Sequence, residues 1–207
     1  MEPISDASPS EARARPLPSV LQIEMIELLH GTSSRNWKAI QESGQLGRPC
    51  QARAQAEEVA EAFGLDSDAL YESSSYEFAR SREGDPRLYL TSDLRVAARH
   101  AEICSEILED ALLAAFRMLH PRTNYIKSPG KERLEAFRAR YRAEHGLEPV
   151  VLRVRLPIKK VPVPEGSKVQ DPSEWWHLAN SLGSSHTLML PEPLPASAAT
   201  ELVGAVA

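Results

Sequence analysis

The chain has 207 residues, 42% of them hydrophobic, which predicts one domain with a sizeable core. Its formal net charge of -5 excludes a general electrostatic attraction to nucleic acid. No apolar run reaches the ~18 residues of a membrane-spanning helix, and no basic region precedes an apolar one near the N-terminus, so we expect no membrane segment and no secretory signal. Cys50 and Cys104 are too few for a disulfide scaffold and lack metal-ligand spacing, so we expect a cytoplasmic protein without a metal site.

The N-terminal part of the chain combines a polar tail with the first regular elements. Residues 1–20 are rich in Pro, Ser, Ala and charge, so we expect a disordered or loosely ordered tail there and a single domain over residues 21–207. Apolar spacing and capping residues then predict a strand at Leu21–Leu29, a helix from Ser33 or Ser34 to about Ser43 that Gly44 ends, and a helix at Gln51–Phe63.

The middle of the chain is predicted to be mostly helical. Residues 66–82 give a weaker pattern, in which Asp66 can cap a further helix, and a short strand follows at Arg87–Thr91. From Ser92 or Asp93 onward, apolar residues recur every three or four positions up to Leu119. This spacing predicts one long helix, the longest in the chain.

The last third of the chain carries most of the predicted strands. Helical spacing predicts helices at Lys131–Glu144 and Pro172–Leu182. Strand patterns predict strands at Pro149–Leu156, Ser185–Leu190 and Glu201–Val206, and an extended piece interrupted by prolines begins at Val161 and Val163. The order of elements predicts an α+β fold, with a small mixed or antiparallel sheet and helices concentrated in the first two thirds.

Charge is unevenly distributed along the chain. Residues 117–160 carry 12 Lys/Arg and 4 Asp/Glu, whereas residues 1–116 carry 11 and 20. A basic segment of this kind either faces an acidic partner, such as a nucleic acid or a dinucleotide, or is a solvated helix face beside an acidic neighbour.

Two strand-to-helix corners share one layout. In the first, an apolar strand runs into His30-Gly31-Thr32 and a capped helix follows; in the second, the strand that holds Tyr89 runs into Thr91-Ser92 and another helix. Polar groups at such corners are suited to holding a ribose and a carboxamide. The pair therefore predicts one cleft for a nucleotide.

At these corners the chain resembles the ADP-ribosyltransferase superfamily, in the His-Tyr-Glu branch that includes diphtheria-toxin-like and poly(ADP-ribose)-polymerase-like enzymes. The first motif of that branch matches LLHGTSSRNWKAIQESGQL, and the second matches LYLTSDLRVAARHAE. The resemblance extends from about Glu24 to the C-terminus and fits poorly over residues 51–82 and 112–146. It implies a split sheet that grips NAD as a co-substrate.

The resemblance also implies roles for individual residues. His30 would hydrogen-bond the hydroxyls of the adenosine-side ribose, the Gly31 backbone would hold the nicotinamide carboxamide, and Thr32 would add a hydroxyl contact. Tyr89 would stack against the nicotinamide ring, and Thr91 and Ser92 would complete the cofactor-binding set.

The third motif, a late strand bearing Glu, departs from the pattern. The segment SSHTLMLPEPLP puts His186 where the glutamate begins the strand in many relatives, and Glu192 follows six residues later in a Pro-rich turn. The third catalytic residue is therefore His186, Glu192 after a shift, or missing. A histidine there implies a weakened transferase, a different reaction on the same scaffold, or a protein that only binds.

The function implied is that of an NAD-dependent mono-ADP-ribosyltransferase, a glycosyltransferase that modifies a protein or nucleic acid. A toxin role, or a role as an effector delivered into another cell, fits a compact chain of this kind. Two alternatives stay open: an RNA 2′-phosphotransferase-like enzyme, which also consumes NAD, and a non-catalytic module that binds NAD or ADP-ribose.

Overall fold

The computed structural model describes residues 24–47, 49–85, 87–181 and 187–202. In these ranges the protein has an α+β fold with a five-stranded antiparallel sheet, a separate pair of short strands and eight α-helices. The strands are β1 (Met25–Ser33), β2 (Gln45–Leu46), β3 (Leu88–Thr91), β4 (Pro149–Pro157), β5 (Thr187–Leu190), β6 (Leu194–Pro195) and β7 (Ala199–Glu201). The helices are α1 (Ser34–Ser43), α2 (Ala52–Phe63), α3 (Ser67–Tyr71), α4 (Glu77–Ser81), α5 (Leu94–Glu102), α6 (Glu106–Leu119), α7 (Gly130–Glu144) and α8 (Pro172–Ser181).

The large sheet is paired unevenly around its central strand. Its order is β5-β3-β1-β4-β7, and β2 pairs with β6 separately. Strand β1 pairs with β4 along its full length, from Met25 opposite Pro157 to Ser33 opposite Pro149. Its pairing with β3 is confined to Leu29 opposite Thr91, so most of the backbone of β3 is free of β1.

The described residues form two large and separate hydrophobic cores. Alternating residues of β1 and β4, such as Ile26, Leu28 and Val154, form the sheet core, against which Trp176 of α8 packs. Helices α2, α3, α6 and α7 form a second core of their own, with Leu112 and Tyr141 at less than 2% exposure. Helix α1 contacts both, because Ile40 belongs to the sheet core and Arg35 pairs with Glu58 of α2.

Helix α5 lies unusually close to β1. A Cβ placed on Gly31 would be 2.0 Å from the carbonyl oxygen of Ala97 and 2.6 Å from the amide nitrogen of Ala101. Ala97 and Ala101 are fully buried and cluster with Val151 of β4. Gly31 thus makes room for the backbone of α5, which holds that helix against the sheet.

The local signals around α1 act as the sequence predicts. The hydroxyl of Ser33 accepts a hydrogen bond from the Asn36 amide at the start of the helix, and Gly44 adopts φ 72° at its end. Ser34 also fixes the corner, because its amide donates to the Glu148 carbonyl and its hydroxyl donates to the Gly146 carbonyl.

The prediction of one long helix from Ser92 or Asp93 to Leu119 is wrong. Helix α5 ends at Glu102, and α6 begins at Glu106. Between them Cys104 adopts φ 63°, a left-handed conformation, and the hydroxyl of Ser105 accepts from the Leu108 amide as a new N-cap. The apolar spacing continues across this break, so periodicity alone does not reveal it.

Several boundaries also differ from the predictions. Strand β1 continues through the His-Gly-Thr segment to Ser33 instead of ending at Leu29, and no strand forms at Val161 and Val163, which follow a 3-10 turn. The last strand begins at Ala199, earlier than predicted. Residues 1–23, 182–186 and 203–207, on which other predictions fall wholly or in part, lie outside the described residues.

The described strands are all antiparallel, which resolves the predicted choice between a mixed and an antiparallel sheet. Among the helices in the described ranges, none combines the length and apolar character needed to cross a lipid bilayer.

Candidate functional site

The two corners singled out by the sequence meet at one hydrogen bond. The Nδ1 atom of His30 lies 2.9 Å from the carbonyl oxygen of Tyr89, across 59 residues of sequence. Strand β1 pairs with β3 only at Leu29, opposite Thr91. The imidazole of His30 therefore hydrogen-bonds to a carbonyl of β3 that is not paired with β1. The side chain of the first corner and the backbone of the second are thus joined directly.

This hydrogen bond fixes the state of the His30 ring. A carbonyl oxygen can only accept, so Nδ1 carries the proton and Nε2 keeps a free lone pair. Burial lowers the pKa of His30, the hydrogen bond to Tyr89 opposes this shift, and the nearby imidazole of His100 lowers the pKa further. The neutral ring therefore predominates at neutral pH and offers Nε2 as a hydrogen-bond acceptor.

A cleft of two connected lobes surrounds this contact. The first lobe has a volume of about 420 Å³ and the second of about 560 Å³, both within the size range of small-molecule pockets. Their shared lining includes His30, Thr32, Asn36, Arg87 and Tyr89. The lobes are thus two parts of one cleft, with the His30–Tyr89 contact where they join.

Tyr89 lines the cleft and is not packed in the core. Its side chain is 38% exposed, although Leu88 and Leu90 on either side of it are buried. The guanidinium carbon of Arg82 lies 5.0 Å from the centre of its ring. Tyr71 and Tyr76, by contrast, lie edge to face within the helical layer, where the Tyr76 hydroxyl donates to the Ala52 carbonyl.

One wall of the first lobe carries two arginines around one carboxylate. The Nε atom of Arg82 lies 2.9 Å from Asp85, and the Nε atom of Arg87 lies 2.8 and 2.7 Å from its two oxygens. Hydrogen bonds from Arg87, supported by the charges of both arginines, hold the pKa of Asp85 well below its usual range. The trio carries a net positive charge, and all three residues line the cleft.

The second lobe contains a different ion pair. Arg35 of α1 makes a bidentate contact with Glu58 of α2, and the Tyr141 hydroxyl of α7 donates to the same carboxylate at 3.1 Å. Burial opposes ionisation of Glu58, but the hydrogen bond and charge of Arg35 outweigh it and lower the pKa of Glu58. This carboxylate therefore ties three helices together and is already engaged.

The other residues predicted for the first two motifs are placed as follows. Gly31 and Thr91 line the first lobe, and Thr32 lines both. Thr32 and Thr91 are buried, and the Thr91 hydroxyl accepts from the Asp93 amide at 3.1 Å. Ser92 is exposed and lines neither lobe.

Of the two residues considered for the third motif, Glu192 is described by the structure and is not brought to the cleft. His186 lies outside the described residues. Glu192 is exposed in the turn between β5 and β6 and lines neither lobe. Thr187, the first residue of β5, does line the first lobe and pairs with Thr91.

Several cleft residues escaped the sequence reasoning. Arg82 and Asp85 belong to no motif that the sequence singled out. His100 lies within the second motif segment but was given no role there, and Glu106 lies inside the region predicted as continuous helix. A Ser-Glu pair starting a helical turn was the available signal for the break before Glu106.

The two cysteines also line the cleft. Burial raises the pKa of both the Cys50 and the Cys104 thiol, so the less nucleophilic protonated form predominates at neutral pH. Within the described ranges, no group of three His, Cys, Asp or Glu residues is arranged to hold a metal ion.

The basic segment 117–160 has acidic partners inside the molecule. Arg138 and Arg142 of α7 both contact Glu109 of α6, which places them beside an acidic residue of the preceding helix. Arg153 and Arg155 of β4 both contact Glu27 of β1. These pairs favour a solvated face beside acidic neighbours over a nucleic-acid surface.

Comparison of the chain with protein-family models, with curated proteins and with solved structures found no match in any of the three. The chemistry of the cleft is therefore the ground on which a function can be argued.

Proposed function

We propose that this protein is an NAD-dependent mono-ADP-ribosyltransferase whose acceptor is a protein or a nucleic acid. The observation that carries the proposal is the hydrogen bond between His30 and Tyr89, because it joins the two motifs of the resemblance over one cleft of nucleotide size. The split sheet of that superfamily is part of the proposal, and the single residue pair between β1 and β3 supports it.

In the proposed reaction, the bond between nicotinamide nitrogen and ribose C1′ breaks, and nicotinamide leaves with the bonding electron pair. Positive charge develops on the ribose ring. A lone pair of the acceptor then forms the new bond to C1′, and the acceptor releases its proton to solvent. The protein accelerates this by holding the ring still and by placing acceptors and negative charge near the developing cation.

His30 suits the binding part of this reaction. Its Nε2 lone pair can accept a hydrogen bond from a hydroxyl of the adenosine-side ribose. Its lowered pKa keeps a positive charge out of the cleft in which the nicotinamide-side ribose becomes positive. The buried hydroxyl of Thr32, which lines both lobes, adds a second polar group at the same corner.

Tyr89 and the arginine wall suit the remaining parts of NAD. The exposed ring of Tyr89 offers a face to the planar nicotinamide. Arg82 and Arg87 give the adjoining wall a net positive charge, which favours the diphosphate. The second lobe, lined by Ile40, Leu46 and other apolar residues, has room for the adenosine.

The test is transfer of label from NAD carrying a labelled adenylate into cell lysate by the full chain. We expect labelled macromolecules with the wild type and at least a ~100-fold loss with His30→Ala. His177→Ala is the matched control, because His177 is exposed on α8 and lines neither lobe. Protease and nuclease treatment of the product then shows which kind of acceptor carries the label. No transfer and no nicotinamide release across varied lysates would contradict the proposal.

A second candidate, an RNA 2′-phosphotransferase-like activity, gains support from Arg82 and Arg87, since guanidinium groups bind phosphate. Both arginines are shared with Asp85, and the transferase proposal assigns the same pair to the diphosphate of NAD, so they do not distinguish the two activities. A 2′-phosphorylated oligonucleotide incubated with NAD and the protein distinguishes the two: loss of the 2′-phosphate supports this candidate, and an unchanged oligonucleotide dismisses it. Calorimetric binding of NAD without any turnover would instead indicate a non-catalytic module.

A further inference from the structure

Three carboxylates line the cleft within the described residues, and two of them are engaged. Asp85 is enclosed by Arg82 and Arg87, and Glu58 is bound by Arg35 and Tyr141. A carboxylate whose lone pairs and charge are already satisfied by guanidinium groups has little left to offer a developing cation.

Glu106 is the third carboxylate, and it differs from the other two. It lines the first lobe, together with His30, Tyr89 and Thr91. Among the described residues it forms no ion pair and no side-chain hydrogen bond. Its oxygens are therefore free to accept from a ligand.

The backbone places Glu106 in the cleft by a specific device. Cys104, with φ 63°, is the one non-glycine residue of the described chain with a positive φ, and it turns the chain between α5 and α6. Cys104, Ser105, Glu106 and Ile107 all line the first lobe as a result. Without this break, the chain would continue along the direction of α5 and carry Glu106 elsewhere.

Charge also favours a free carboxylate at this position. Glu106 is the first residue of the 14-residue helix α6, where the helix dipole favours negative charge. The other charged groups of the first lobe are the Arg82–Asp85–Arg87 trio, which is net positive. Glu106 thus supplies the first lobe with a negative charge that is not paired with an arginine.

We infer that Glu106 is the catalytic carboxylate of the proposed transferase, touching the nicotinamide-side ribose and stabilising the positive charge that develops when nicotinamide leaves. The inference rests on the proposed function and adds to it a residue outside the three motifs. It gives the cleft the acidic group that the exposed Glu192, which lines neither lobe, does not provide.

The test measures nicotinamide release from NAD, and NAD binding by calorimetry, for the wild-type chain and four variants. For Glu106→Gln we expect kcat to fall at least ~100-fold while the Kd for NAD changes less than about threefold, since the lost interaction strengthens in the transition state. Glu106→Asp should recover part of the rate. Glu102→Gln, an exposed glutamate at the end of α5 that lines neither lobe, is the matched control and should match the wild type.

Two outcomes overturn the inference in distinguishable ways. Glu106→Gln with wild-type kcat, in a preparation where the wild type releases nicotinamide, overturns the role of Glu106 and leaves the transferase proposal standing. The same holds if Glu192→Gln causes the loss instead. A wild-type chain that binds NAD and releases no nicotinamide overturns the transferase proposal and this inference together.

Discussion

Substituting Gly31 by alanine perturbs the closest contact between the sheet and helix α5. The added Cβ would lie 2.0 Å from the Ala97 carbonyl oxygen, whereas real Cβ atoms essentially never come within 3.0 Å of such an atom. Helix α5 would therefore have to recede by about 1 Å, and in doing so it would loosen the packing of Ala97 and Ala101 against Val151. We expect this to lower the free energy of unfolding by at least about 3 kcal/mol.

The assay is urea denaturation of the full chain, with the free energy of unfolding taken by linear extrapolation. Gly64→Ala is the control, because Gly64 has φ 62° and no atom within 4 Å of an added Cβ, so its cost is backbone strain alone, about 1 kcal/mol. The reasoning is refuted if Gly31→Ala costs no more than Gly64→Ala. Helix α5 would then not lie where the structure places it, and the first lobe of the cleft would have a different wall.

Three further results are expected. Tyr89→Ala should weaken NAD binding by about 3- to 10-fold in calorimetry, whereas Tyr89→Phe, which keeps the aromatic ring, should bind NAD as the wild type does. Equal losses of affinity in both variants would exclude stacking. Burial lowers the pKa of His30, so the midpoint of its NMR titration should lie below 6.5. Because the unfolded chain binds the proton at a higher pH than the folded chain, the free energy of unfolding should fall as the pH drops below 6.5. A midpoint above 6.5 would contradict the buried, neutral ring. In urea denaturation, the Cys104→Gly variant should be about 1 kcal/mol more stable than Cys104→Ala. Both variants lose the thiol, and only glycine adopts φ 63° without strain. Equal stabilities would argue against the left-handed turn.

Elements governed by short-range chemistry could be predicted from the sequence. Ser33 and Gly44 set the two ends of α1, and both positions follow from side-chain capping and from the freedom of glycine to adopt a positive φ. The alternation over Pro149–Leu156 predicted β4, whose outward positions Arg153 and Arg155 are exposed. The α+β class follows from the order of such elements.

The break at Cys104 could not be predicted in the same way. Both helices bury apolar residues at helical spacing, so Ala101 and Leu108 fit one continuous helix as well as two. The Ser105 N-cap of α6 is a local signal that apolar spacing does not record, and the burial of Cys104 in the helical layer is set by tertiary packing. Local periodicity does not contain that information.

The candidate site also contains residues that the sequence could identify and residues that it could not. The two corners were recognisable because each is a short motif, whereas their contact depends on strand order, which brings Tyr89 to His30 across 59 positions. Arg82, Asp85 and Glu106 come from a helix end, a turn and a helix start that no motif connects. Their shared cleft is a product of the fold, so sequence reasoning had no means to group them.

The most direct test of the central claim is the crystal structure of the full chain with an NAD analogue whose glycosidic bond resists cleavage. We expect a ribose hydroxyl within hydrogen-bond distance of the His30 Nε2 atom and the nicotinamide ring against the face of Tyr89. An analogue bound away from the cleft, or a chain that takes up none at millimolar concentration, would contradict the claim that these two residues hold one dinucleotide.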